Sequence, residues 1–143
     1  MGTINYVEVA AFAAVRGAIE SVPRQLIIEE APNDSGLPAD EMGRWTVEPG
    51  SLAQAELNGN YGTLDLVCRM TGYWTVSDMS PAAIGPMVRD VRKVIRAVQS
   101  LGCVSTSEGT AGGWRIESAN FRPGEPAVDI DVTISFNYTR EGL

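Results

Sequence analysis

The chain has no histidine among its 143 residues. Histidine is the commonest general base in enzymes, and the Ser-His-Asp and Cys-His nucleophile systems require it. Its absence excludes those mechanisms within this sequence. The sequence also lacks the phosphate-binding P-loop and the glycine-rich dinucleotide fingerprint. We therefore predict that the protein is not an enzyme and has no catalytic residue, cofactor site or metal site.

Cysteine is scarce as well. Cys68 and Cys103 are the two cysteines of the chain, and they do not form a CxxC pair. Without histidine they cannot complete a typical zinc site, so we interpret both as reduced structural thiols. Between residues 63 and 73 the apolar side chains alternate in the phase of Cys68. This alternation predicts a strand in which Cys68 is buried.

Basic residues are outnumbered, with 11 Lys and Arg against 18 Asp and Glu and a net charge of −7. A net negative charge repels phosphate at long range, which argues against a generic nucleic-acid binder. The imbalance is concentrated in residues 1–50, whereas residues 51–100 carry slightly more basic than acidic side chains. Such asymmetry favours assembly of the chain with copies of itself.

Long apolar runs are also missing, since none approaches the ~20 residues that a membrane span requires. The apolar stretch at residues 7–15 contains Glu8 and is followed by Arg16, and no basic segment precedes it. We therefore interpret it as part of a mature helix and not as a signal peptide. The length fits one domain, residues 1–143, with a single core.

Apolar spacing of three and four predicts two helices. The first covers residues 6–22, with Asn5 as its cap and Pro23 as its end. Because Pro86 would clash inside a continuous helix, we predict a short turn at residues 80–84 and a main helix at residues 86–101. Trp45, Trp74 and Trp114 are interpreted as core anchors.

Alternating apolar residues predict the strands, at residues 24–30, 45–47, 52–57, 63–73, 114–121 and 128–138. The third and fourth form a hairpin, and a slip in the alternation predicts a bulge near Ser118. Residues 31–43 are predicted to be a mobile loop, and residues 105–113 a second loop. The strict alternation of the last strand predicts one packed face and one wet face. The expected fold is therefore α+β, a two-layer sandwich of a mainly antiparallel sheet with two helices packed on one face.

Four acidic residues are the best enzymatic candidates: Glu117, Glu125, Asp129 and Asp131. Carboxylates on adjacent strands can hold Mg²⁺ or act as an acid and base pair. Asp129 and Asp131 fall on the strand face that the alternation predicts to be exposed, where acidic residues are expected anyway. We prefer the surface interpretation and keep a small metal-dependent hydrolase as an alternative.

Four basic residues share one face of the second predicted helix: Arg89, Arg92, Lys93 and Arg96. We consider them a candidate subunit interface that meets an acidic surface on a neighbouring copy, with a solvated helix back or DNA phosphates as alternatives. A further alternative is a binding module that uses the last strand, at residues 128–138, as an exposed sheet edge.

The order of elements resembles the tail terminator, or tail completion, proteins of long-tailed bacteriophages. The resemblance covers nearly the whole chain and rests on element order without a catalytic signature. Its elements are the helix at 6–22, a strand opening on the loop at 31–43, the strand at 62–73 running into the helix at 86–101, and the strands at 114–121 and 128–138.

This resemblance implies a structural virion protein that forms a ring, usually of six subunits, at the head-proximal end of the tail. The ring would cap the tail tube, so the expected partners are copies of the chain, the tail tube protein and the head-side connector protein. DNA would pass through an acidic ring without specific binding, and no membrane would be involved. The implied location is the virion neck, after assembly in the host cytoplasm. Another phage neck or tail structural protein is an alternative.

Overall fold

The computed structural model describes residues 6–30, 43–58, 61–76, 78, 80–107, 109–122 and 127–139. The elements in chain order are α1 (Val7–Glu20), β1 (Gln25–Ile27), β2 (Gly43–Asn58), β3 (Tyr61–Tyr73), α2 (Pro81–Gln99), β4 (Val104–Ser105), β5 (Gly109–Phe121) and β6 (Ala127–Thr139). Most of the predicted loop at 31–43 lies outside the described residues, while Gly43 itself begins β2.

The six strands form one sheet in the order β1-β2-β3-β6-β5-β4. β1 pairs in parallel with β2, and every other neighbouring pair is antiparallel. β3 and β6 are the two central strands and pair without a register shift, from Tyr61 opposite Thr139 to Tyr73 opposite Ala127. The predicted hairpin and the predicted last strand are both confirmed.

The predicted two-layer sandwich with both helices on one sheet face is wrong. The molecule is mostly sheet, and its six strands curl into a half-barrel. α1 makes its main sheet contacts with strands of both margins, β1 and β2 on one side and β4 and β5 on the other. α2 contacts mainly α1 and β5. Alternation in a sequence reports which face of a strand is buried, but curvature arises from strand twist and bulges, which alternation does not encode.

Bulges occur on both sides of the central pair. β2 is irregular against β3 after Pro49 and after Gln54, and β5 is irregular against β6 after Gly112 and after Ile116. The last of these confirms the predicted bulge near Ser118. Gly113 has a φ of 62°, a conformation that glycine adopts without the penalty of a Cβ.

Two predicted segment boundaries are wrong. The predicted strands at 45–47 and 52–57 are parts of one strand, β2, which continues through the bulge after Pro49. The predicted loop at 105–113 contains the end of β4 and the start of β5, which pair with each other. Glycine, serine and threonine lowered the apparent strand signal there, whereas pairing with β6 supplies the order that local preference lacks.

The first helix is confirmed, although its predicted cap Asn5 lies outside the described residues and Tyr6 occupies the cap position. The predicted break before Pro86 is wrong, because α2 is continuous through it. Ser80 caps the start of the helix, and its Oγ accepts a hydrogen bond from the Ala83 N–H at 3.3 Å. Pro86 therefore lies in the second turn, where the missing N–H removes a single helical bond.

The buried residues of both helices and of β2, β3, β5 and β6 form one core. All three tryptophans are buried, as predicted. Trp45 and Trp74 meet edge to face with ring centroids 5.2 Å apart. The Trp45 Nε1–H donates to Gln25 Oε1 at 2.7 Å. Gly72 permits this packing, because a Cβ there would lie 2.5 Å from Trp74 Cζ3 and 2.9 Å from Trp45 Cη2.

Gly72→Ala should therefore destabilise the protein by about 1–3 kcal/mol, because two buried indole rings must shift to admit one methyl group. Gly17→Ala is the matched control, since nothing lies within 4 Å of a Cβ at that position in α1. Removing glycine from a helix should stabilise it by up to about 1 kcal/mol. Urea unfolding measures both changes, and equal effects of the two substitutions would contradict the packing argument.

Candidate functional site

Arg89, Arg92, Lys93 and Arg96, the α2 basic stripe, all lie on the exposed side of α2. The opposite side of the helix is buried through Met87, Val91, Val94 and Val98. None of the four basic side chains forms a salt bridge or a side-chain hydrogen bond in the described part of the chain. Within the described residues, no carboxylate lies within salt-bridge distance of these four positive charges.

A groove of about 300 Å³ opens beside the first half of α2. It is lined by Trp74, Thr75, Val76, Ala82, Ala83, Pro86, Met87 and Asp90. Asp90 lies at the groove and is next in sequence to Arg89 of the basic stripe. The groove thus lies where α2 meets residues 74–76, and none of the four basic residues lines it.

The candidate carboxylate Asp129 is held by arginine. Arg122 donates to both of its oxygens, from Nε to Oδ2 at 2.8 Å and from Nη2 to Oδ1 at 2.7 Å. The hydroxyl of Thr71 adds a bond to Oδ1 at 3.1 Å. The hydrogen bonds from Arg122 hold the pKa of Asp129 below its ordinary value, with a smaller contribution from Thr71. Such a two-point pair fixes the carboxylate strongly.

Asp131 is held in a similar way on the same sheet face. Arg69 Nε donates to its Oδ1 at 3.0 Å, and the Ser118 hydroxyl donates to its Oδ2 at 3.2 Å. Glu117 lies at the bulge of β5, exposed, with Arg115 as a distant partner at 3.8 Å. Glu125 lies outside the described residues. Each of the three candidate carboxylates that the structure describes therefore lies close to an arginine.

Metal binding needs several ligands directed at one point. Among the residues that the structure describes, no three His, Cys, Asp or Glu side chains come together in that way. The oxygens of Asp129 and Asp131 point at guanidinium and hydroxyl donors instead. The sheet carboxylates therefore serve cross-strand pairing in this arrangement.

The Arg122 pair has a consequence for stability in acid. Since the pKa of Asp129 is lowered in the folded state, its contribution is present above the unfolded-state pKa of about 3.9 and is lost as pH falls through the folded value. Asp129→Asn should cost about 1 kcal/mol at neutral pH, and the difference from wild type should shrink in acid.

Denaturant unfolding at neutral and acid pH measures this difference. Glu117→Gln is the matched control, because its carboxylate is exposed and 3.8 Å from Arg115, so its effect should stay within about 0.5 kcal/mol. An Asp129→Asn deficit that is as large in acid as at neutral pH would refute the role of the charged pair.

The last strand is not an exposed edge, contrary to the binding-module alternative. β6 lies between β3 and β5. Its polar face is tied to a neighbour, with Ser135 donating to Asp65 at 2.6 Å and Thr63 donating to Asn137 at 3.1 Å. The interpretation failed because alternation shows how a strand is buried but not which strands flank it.

The outer margin of β2 offers little for strand addition. The Trp45 carbonyl accepts from the Ile28 N–H at 2.8 Å, so the odd-numbered residues here direct their backbone groups outward. Pro49 is one of these and has no N–H to offer. Bulges interrupt β2 and also β5, near the other margin. Proline and bulges are common devices that discourage edge-to-edge pairing.

Sequence reasoning missed the polar cluster around Gln25. Gln25 and Trp74 are buried, and Gln25 Nε2 and Trp74 Nε1 have no hydrogen-bond partner among the described residues. Both side chains crowd the position of Gly43, where a Cβ would collide with Gln25 Oε1. A glutamine between Arg24 and Leu26 gives no signal in the sequence, because only tertiary packing brings β1 against the tryptophans.

The two cysteines differ in burial, and the predicted burial of Cys68 is confirmed. Cys68 is fully buried, and Cys103 is exposed. Burial raises the pKa of the Cys68 thiol to about 12, with a further contribution from the nearby charge of Asp131. Thiolate is the reactive form, so Cys68 should be unreactive while the protein is folded.

An aromatic disulfide reagent should therefore modify one thiol per native chain, and both only after denaturation. Cys103→Ser should abolish the reaction of the native protein, whereas Cys68→Ser should preserve it. The released chromophore measures each reaction. Rapid labelling of Cys68 in the native state would show that β3 opens locally.

No family model matches this chain, and no curated protein sequence matches it. No helix in the described ranges has both the length and the apolar character needed to cross a bilayer.

Proposed function

We propose that this protein is a structural subunit that assembles with copies of itself into a ring at the head-proximal end of a phage tail. There it would cap the tail tube and join it to the head-side connector. The α2 basic stripe carries the proposal: it presents four cations without a described acidic partner, on a chain whose net charge is −7. A copy of the same acidic chain is an electrostatically suitable partner for such a surface.

The sheet supports the use of side-chain surfaces for assembly. Its long strands near the margins carry bulges, and Pro49 lies on an outward position, so backbone pairing between copies is disfavoured. Helix surfaces remain as the natural contact areas. The phage placement rests on the resemblance in element order, and an acidic ring also suits DNA passage, because it repels the phosphate backbone.

The pairing of Asp129 and Asp131 with arginines makes a metal-dependent hydrolase the weaker candidate. Isothermal titration with Mg²⁺ and with Mn²⁺ tests it directly. Heat of binding that disappears in Asp131→Asn would favour the hydrolase over the ring subunit.

Native mass spectrometry of the purified protein, with and without tail tubes, tests the ring. The expected result is a closed oligomer of defined size, either in solution or on the tube. A chain that stays monomeric under both conditions would contradict the proposed function.

Neutralising part of the stripe should weaken this assembly. Arg92→Gln with Lys93→Gln should raise the dissociation constant by up to about thirtyfold, because two lost charge pairs remove up to about 2 kcal/mol. The double variant Arg69→Gln with Arg115→Gln changes the net charge equally on the sheet face and should assemble like the wild type. Sedimentation at several protein concentrations measures both. Equal weakening by the two variants would point to net charge and not to the stripe.

A further inference from the structure

We infer that the α2 basic stripe of one copy docks on the outer side of α1 and the adjoining end of β1 in the next copy. The receiving surface, here called the α1 acidic face, comprises Val9, Ala13, Gly17, Glu20 and Glu30. This inference rests on the proposed function, because it names the contact through which the subunits would join.

The solvent side of α1 is unusually apolar. Val9 is 63% exposed, and Ala13 and Gly17 follow at helical spacing on the exposed side. A surface helix normally carries polar residues there, whereas a helix that is apolar all round is normally covered. A Cβ at Gly17 would meet nothing within 4 Å, so the surface is low and another helix can approach closely.

Two of the exposed large apolar side chains lie at the start of this helix. The described chain has four such side chains: Tyr6, Val9, Leu26 and Phe121. Tyr6 directly precedes α1, and Val9 lies in its first turn. Leu26 alternates with the buried Gln25 on β1 and therefore points away from the core. Burial by a neighbouring copy would remove Tyr6 and Val9 from water.

Acidic residues border this apolar area. Glu20 ends α1 on its exposed side, and Glu30 is exposed beyond β1. Arg16 pairs with Glu29, two residues beyond β1, and within the described part of the chain no salt bridge engages Glu20 or Glu30. Long stems of arginine and lysine cover apolar surface while their charged ends reach acidic groups. The basic stripe therefore matches both the apolar and the acidic parts of this face.

In the proposed ring this contact is heterologous. α1 and α2 contact each other within one subunit, and the two complementary surfaces lie on different helices. Repeated head to tail, a contact between two different surfaces closes into a ring when the rotation between copies permits, whereas reciprocal use of the same two surfaces would give a two-fold dimer. The same pairing would then repeat at every subunit boundary.

Reciprocal charge reversal tests this pairing. Variant A carries Arg92→Glu and Lys93→Glu, variant B carries Glu20→Arg and Glu30→Arg, and control variant C carries Glu48→Arg and Glu117→Arg on the sheet face. B and C have the same net charge. Circular dichroism and thermal unfolding of each variant check that it is folded, and native mass spectrometry measures assembly.

A alone and B alone should assemble at least about tenfold more weakly than the wild type, because like charges then face each other. An equimolar mixture of A and B should recover the oligomer with alternating subunits, since each reversed surface meets its complement. A mixture of A and C should not recover it.

Failure of the A and B mixture, recovery by the A and C mixture, or normal assembly of A or B alone would overturn the inference. Provided that the wild type forms rings, each of these results leaves the proposed function standing. A wild type that never oligomerises, alone or on tail tubes, overturns both.

Discussion

The unbroken antiparallel pairing of β3 with β6 is the interaction on which the rest of the structure depends. It runs the full length of both strands, from Tyr61 to Tyr73 and from Ala127 to Thr139. Every second residue is thereby committed to the core, including Cys68, Met70 and Ile130. The remaining residues form a polar face on which carboxylates and their donors are directly opposed.

The charged residues of the sheet and those of α2 differ in whether they are paired within the subunit. On the sheet, Asp129 pairs with Arg122 and Asp131 pairs with Arg69, so the charges of these two carboxylates are balanced within one subunit. On α2, the basic stripe has no described counter-charge. Charges satisfied internally stabilise the fold, whereas charges left open are the ones that a partner can use. This difference separates the two candidate sites that composition alone could not distinguish.

Local patterns predicted much of this molecule. The spacing of apolar residues located α1, and alternation located β3 and β6 and the burial of Cys68. A slip in that alternation located the bulge before Ser118. The pattern failed at Pro86, because a proline early in a well-capped helix costs one bond and the buried side of α2 offsets it. It also failed at residues 105–113, where pairing with β6 orders the start of β5 although the local sequence has little strand preference.

The sequence by itself determined which side chains face inward, that no histidine chemistry operates within these residues, and that four cations share one side of α2. These depend on identity and spacing along the chain, which periodicity reports directly. Only the tertiary structure decided that the sheet curls into a half-barrel, that β6 is central, that Asp129 and Asp131 face arginines, and that Gln25 meets Trp45. Each of these depends on which strands become neighbours, and neighbours distant in sequence are chosen by the packing of the whole core.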